Sequence, residues 1–168
     1  MTLILSGTDG VSDIDGTAAT PAVRGSDANT GIYFPGADRI GFAEGGVQVG
    51  EFDASGNFLM NSGYGSPAIA YGCRAWVNFN GTGTVAIRAS GNVSSITDRG
   101  TGEFTVNFAT AMPDANYCAV FGTQASGFGG IVLVVDQTTA PTTTALAVES
   151  GDTDAFKDMA YNYVAIFR

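Results

Sequence analysis

Between Thr20 and Asn57 the chain never runs more than a few apolar residues before it turns, and that spacing decides what it can fold into. The apolar pieces Ala22-Val23, Ile32-Tyr33-Phe34, Ile40-Gly41-Phe42, Val47 to Val49 and Phe52 alternate with turn clusters at Gly25 to Asn29, Pro35 to Asp38, Glu44 to Gly46 and Asp53 to Gly56. Each cluster supplies a reason to turn: Pro35 fixes φ, glycines accept positive φ, and Asp and Asn bond their own backbone. Pieces this short make strands, and a lone hairpin is only marginally stable in water. The missing burial is expected from other copies of the chain.

Composition narrows the class. With hydrophobic residues at 45% and charged residues at 14%, the 168-residue chain has enough apolar side chains for a packed core, unlike a disordered chain. Its glycines follow no Gly-X-Y period, so collagen is excluded. The formal net charge is −9, and only 7 residues are Lys or Arg. Nucleic-acid binding needs basic side chains to displace counterions from phosphates, so no nucleic-acid partner is expected. The acidity also disfavours an anionic lipid surface. The opening Met1-Thr2-Leu3-Ile4-Leu5-Ser6 has neither the length nor the basic flank of a signal sequence, and the longest apolar run, Ile131 to Val135, is far short of a bilayer span. The expectation is cytoplasmic synthesis without membrane insertion.

The stretch Asn61-Ser62-Gly63-Tyr64-Gly65-Ser66-Pro67 reads as a boundary between two patterned regions. Three parts follow: 1–19, a small-residue lead; 20–62, the short-stranded β module; and 63–168, a second all-β region. In the last, Val85, Ile87 and Ala89 alternate with Ala86 and Arg88, and Phe104, Val106 and Phe108 alternate with Thr105 and Asn107. That is the period of a strand with one wet face. Eight strands are predicted, over 71–79, 84–90, 93–97, 103–109, 116–123, 130–136, 143–149 and 158–167. Their spacing suits an antiparallel β-sandwich, jelly-roll-like in its strand number. The runs 117–121, 131–135 and 163–167 are apolar on both faces, as central or interface-covered strands are.

Catalytic chemistry is not expected. With no histidine there is no Ser-His-Asp or Cys-His arrangement. A glycosidase would need two carboxylates facing one sugar bond, for which Glu103, Asp114, Asp136 and Glu149 are nominally available. Acids at strand ends are ordinary decoration of a β protein, so the chain is read as no enzyme, without cofactor. Asp9, Asp13 and Asp15 invite a calcium reading but lack the spacing and closing Glu of an EF-hand, so no metal is assigned. Cys73 and Cys118 are expected as buried reduced thiols; a bridge between them stays open. Trp76, inside AWVNF, is expected in the core, and Tyr161 and Tyr163 are expected to pack on the face of Phe167. The glycine-rich loop 122–130 is no phosphate cradle, since it lacks Lys. Its Gln124, Ser126 and Phe128 combine an apolar ring with directional polar groups, as sugar sites do; the other reading has Phe128 capping the sandwich.

Several stretches carry a resemblance. They are Leu5 to Asp13 (LSGTDGVSD), Pro21 to Gly25 (PAVRG), Asn29 to Pro35 (NTGIYFP), Ala37-Asp38, Ile40-Gly41-Phe42, Gly45-Gly46 and Asp53 to Asn57 (DASGN). Further on come Trp76 to Ser90, Asp98 to Gly102 (DRGTG), Phe104 to Phe108 (FTVNF) and Ala111 to Tyr117 (AMPDANY). Together they resemble modules of tail fibre proteins of tailed bacteriophages, particularly those of marine and cyanobacterial hosts. The resemblance implies a homotrimeric virion component, made in the host cytoplasm and mediating adsorption to a host-surface glycan or outer-membrane protein. It also implies an N-terminal segment, with Leu3, Leu5, Val11 and Ile14, that attaches to a tail, baseplate or adaptor protein. In an interlocked trimeric 20–62 module, Phe34, Phe42, Phe52 and Phe58 would meet their symmetry mates in a shared core. The alternative is a purely structural tail, baseplate or capsid-decoration protein without receptor binding.

Overall fold

The computed structural model describes residues 14–124 and 130–168. Within them the chain is all-β and divides into two compact units, Met1–Ala70 and Tyr71–Arg168. The first unit is one antiparallel sheet in sequence order, with strands β1 (Val23–Arg24), β2 (Gly31–Tyr33), β3 (Ile40–Glu44), β4 (Val47–Phe52), β5 (Phe58–Met60) and β6 (Ala68–Ile69). Its turns fall where the sequence places them. Gly45 and Gly46 both take positive φ, 57° and 80°, so the two-residue β3–β4 loop is of the primed type that matches strand twist. The β4–β5 turn is held by Asp53, whose Oδ1 accepts the N–H groups of Ser55 and Asn57, both at 2.9 Å.

The unit continues past the expected boundary. Leu59 and Met60 pair with Ile69 and Ala68, so 61–67 is the loop of a last hairpin within the first sheet. The second patterned region therefore begins at Tyr71.

The second unit is a sandwich of two four-stranded antiparallel sheets. One has the order β12 (Val132–Val135), β13 (Ala145–Gly151), β10 (Glu103–Phe108), β9 (Val93–Gly100); the other has β11 (Cys118–Thr123), β14 (Asn162–Phe167), β7 (Cys73–Asn80), β8 (Ala86–Gly91). All eight predicted strands are present. Three hairpins stay within a sheet (β7–β8, β9–β10, β12–β13), whereas consecutive strands of a jelly roll mostly change sheets. The sandwich is therefore not of jelly-roll order.

Alternation fills the space between the layers. Ala75, Val77 and Phe79 from β7 and Val164 and Ile166 from β14 meet Phe104, Val106 and Phe108 from β10 and Leu146 and Val148 from β13. Phe79 and Phe104 touch edge to face at 5.2 Å, a geometry worth about 1 kcal/mol beyond burial.

One residue carries the chain from layer to layer between β8 and β9. Asn92 sits at φ 55°, where Asn is tolerated and most side chains are strained. Its Nδ2 donates to the carbonyls of Arg74 and Thr110, both at 3.1 Å, and its Oδ1 accepts the Thr110 N–H at 2.7 Å. Asn92→Ala loses the bonds and strains the backbone, and is expected to lower stability by about 2–3 kcal/mol. Asn92→Gly, which keeps the backbone relaxed, should cost about 1 kcal/mol less. Denaturant unfolding followed by the fluorescence of Trp76, the chain's single tryptophan, measures both in the sandwich itself.

Candidate functional site

Two exposed apolar faces and one acidic cluster stand out among the described residues. The first face belongs to the six-stranded sheet. Phe42 pairs with Gly50, and Phe52 pairs with both Ile40 and Phe58, so these side chains share one side. Phe42 and Phe52 meet edge on at 6.1 Å, and Phe52 and Phe58 lie 5.3 Å apart. They line a groove of about 370 Å³ with Val49 and Gly50, and Phe52 and Phe58 remain 45% and 39% exposed. Three of the four phenylalanines expected in a shared core are thus brought together. Phe34 follows the end of β2, where its N–H bonds the Asp15 carbonyl at 2.8 Å, and stands outside these ring contacts.

The opposite side of this sheet is polar and closed. Tyr33 donates its hydroxyl to Gln48 Oε1 at 2.7 Å, Gln48 Nε2 donates to Glu51 Oε2 at 2.7 Å, and Arg39 Nε donates to Glu51 Oε1 at 2.5 Å. Glu51 is fully buried. Arg39 beside it, and then the Gln48 amide, hold its carboxyl below the ordinary value although burial pushes the other way. Arg24, at the end of β1, donates to the Ala28 carbonyl at 2.5 Å.

The second face is the outer side of the β11–β14–β7–β8 sheet. Here the structure corrects the expectation that Trp76 lies in the core: it is 44% exposed. The reason is alternation. Ala75, Val77 and Phe79 point inward, so Trp76 points outward with Asn78 and Asn80. Two asparagines in phase with the tryptophan were the signal for this. The indole lies over its cross-strand partner Gly91, where a Cβ would come within 2.5 Å of Nε1. Tyr161 and Tyr163 are likewise exposed rather than packed, with the Arg88 guanidinium 4.1 Å from the Tyr161 ring centre. Trp76, Val120, Tyr163 and Ala165 line an open groove of about 540 Å³. Asn78 Oδ1, in the same lining, is buried with no hydrogen-bond partner.

Cysteine placement also differs from expectation. Cys73 and Cys118 are both exposed free thiols. Phe167 pairs with Cys118 on one side and Cys73 on the other, so the two are a double strand spacing apart, roughly 10 Å. That exceeds the roughly 7 Å within which a disulfide can close.

Of the receptor residues read from the loop, Gln124 is exposed and its N–H bonds the Tyr161 carbonyl at 2.9 Å. Ser126 and Phe128 lie outside the described residues. So do Leu3, Leu5 and Val11 of the attachment segment; Ile14 is half-buried just before the bridge between Gly16 and Pro21.

The four acids read as scattered decoration are not all scattered. Asp114 pairs with Arg168 at 2.6 Å on the surface, but ligand oxygens of Glu103, Asp136 and Glu149 lie within 4.8 Å of one another. Asp136 is ion-paired with Arg99, which holds its carboxyl well below the usual carboxylate range, helped by the Thr138 hydroxyl and the N–H groups of Thr138 and Thr139. Glu103 and Glu149 are 46 residues apart in sequence (149 − 103) and become neighbours only through the β10–β13 register. No local pattern announces that.

Comparison with protein-family models, with curated proteins and with solved structures finds no match for this chain.

Glu51 gives a pH signature. A carboxyl whose folded pKa is depressed contributes stability that is complete above its ordinary value, about 4.5, and is lost as pH falls through the lower folded value. The Tm of the native chain should therefore exceed that of Glu51→Gln at neutral pH, and the gap should narrow on acidification below about pH 4.5. Scanning calorimetry of the two proteins across that range checks it.

Proposed function

We propose that this chain is a homotrimeric tail fibre component of a tailed bacteriophage, joined to the tail through its N-terminal segment and adsorbing to the host surface through its sandwich head. The observation that carries the reading is the open phenylalanine face of the first unit. Among the described residues of that unit the sheet is one layer thick, and only Pro21, Tyr33 and Ala43 are buried apolar side chains. Hydrophobic burial contributes about 25 cal/mol per Å², so a sheet that leaves Phe42, Phe52 and Phe58 uncovered forgoes its largest source of stability. Two further copies, each presenting the same row of rings about a three-fold axis, would cover all three faces. The resemblance of 20–57 to phage fibre modules supplies the symmetry and the setting.

Adsorption is non-enzymatic on this reading. The groove of Trp76 and Tyr163 offers flat aromatic surface beside the polar Asn78, the mixture that holds a sugar ring. A shallow site of this kind binds weakly alone. Three heads per fibre and several fibres per particle raise the effective concentration, so avidity supplies what the single contact lacks.

Light scattering of the purified chain tests the assembly. The expected mass is three times 17.1 kDa, falling to the single-chain value in Phe52→Ser, where one substitution removes a ring from every subunit. A native chain that stays monomeric at micromolar concentration sinks the proposal. Labelled trimer should also bind intact cells within a panel of marine cyanobacteria, and Trp76→Ala should weaken that binding at least tenfold while the trimer mass is unchanged.

A further inference from the structure

Given the glycan reading of the Trp76 groove, on which this rests, we propose that the outer face of the β11–β14–β7–β8 sheet takes an acidic polysaccharide. Arg74 and Arg88 bind its carboxylates, and Trp76 and Tyr163 stack on its sugar rings.

Charge is segregated in this chain. The formal net charge is −9, yet β11, β14, β7 and β8 contain no Asp or Glu. The facing sheet carries Asp98, Glu103 and Glu149 in its strands. Of the 7 Lys and Arg residues, Arg39, Arg99, Lys157 and Arg168 are paired with carboxylates, and Arg24 donates to a backbone carbonyl. Arg74 and Arg88 are left without a carboxylate partner among the described residues, and both belong to this one sheet. Asp114, beside the end of β14, is neutralised by Arg168. An acidic surface repels a polyanion everywhere except where acids are absent and cations are uncommitted.

Both arginines lie on the outer face. Arg74 is exposed and in step with Trp76, while Ala75, Val77 and Phe79 between them are buried. The Arg88 guanidinium lies 4.1 Å from the Tyr161 ring centre, and its Nη2 donates to Asn80 Oδ1 at 3.5 Å. Stacking holds the planar group in place, and its fork of N–H donors matches a carboxylate. From Arg74 to Asn80 is six residues (80 − 74), about 20 Å of extended strand. Trp76 and Tyr163 lie between, diagonal to each other across β7 and β14. Each has a glycine as a cross-strand partner, Gly91 and Gly122, so small neighbours leave the rings open. Asn78 Oδ1, paired across from Tyr163, is an unsatisfied acceptor that a hydroxyl-rich ligand suits. Cations at both ends of an aromatic strip fit a chain with spaced acids. Two arginines over that length are too few for a nucleic-acid strand, which carries a charge on every nucleotide.

Biolayer interferometry of the full chain against polygalacturonate, and against the same polymer fully methyl-esterified, tests this. Both offer the same sugar rings, and only the first offers charge. The native chain should bind the free acid at least tenfold more tightly, and the preference should vanish in about 0.5 M salt. Arg74→Gln/Arg88→Gln should bind the two polymers alike. Arg74→Gln alone, at an exposed position, should reduce the preference at least threefold and serves if the double variant does not fold. Equal binding of both polymers that Trp76→Ala weakens overturns the acidic ligand but leaves the glycan groove standing. No binding of either polymer also overturns it, and adsorption of Trp76→Ala to cells then judges the groove separately. A preference that survives the double variant overturns the role of the two arginines. Tighter binding of an oligothymidylate than of polygalacturonate overturns the proposal in favour of a nucleic acid.

Discussion

A β-sheet puts successive side chains on opposite faces, so it always has two surfaces to dispose of, and each unit of this chain meets that constraint differently. The sandwich answers it by stacking two sheets: the inward halves of β7, β10, β13 and β14 form one core around Phe79 and Phe104. Among its described residues the first unit has no second layer of its own. It closes one face with the Tyr33–Gln48–Glu51–Arg39 network and leaves the other to Phe42, Phe52 and Phe58. A face of that kind is stable only when something covers it.

The same constraint marks where the sequence was readable. Turn clusters located four of the five hairpins of the first unit because Gly, Asp, Asn and Pro act through their own backbone, and Gly45-Gly46 and Asp53 to Asn57 need no tertiary context to turn. Strand positions in the sandwich were equally legible from period-two patterning. The errors came where composition was read in place of phase. Trp76 and Tyr163 were assigned inward because large aromatics usually are, although Asn78 and Asn80 in step with Trp76 mark that face as outer. Cys118 fell to the same mistake, since it occupies the outward phase of β11, opposite to Ala119 and Phe121; Cys73 is in step with the inward Ala75 and Val77 and is exposed where the β7–β14 register shifts at Phe167. Ala68-Ile69 was missed for another reason: two residues are too short for any period to register, and only pairing with Leu59-Met60 makes them a strand.

What no local rule could reach is register. Glu103 and Glu149 are ordinary strand-end acids until β10 and β13 align them, and Asp136 joins them only because the chain leaves β12 beside Ala147. The two buried acids outside Glu149 show how the fold handles such groups. Glu51 receives Arg39 and Gln48, and Asp136 receives Arg99, Thr138 and Thr139. In both, charge burial is offset by charged and neutral donors together, which is the condition under which a buried carboxylate is tolerated.

An uncovered face says that a partner is needed and leaves its chemistry open, so the phenylalanine row and the Trp76 groove require the resemblance to phage fibres to say what covers them.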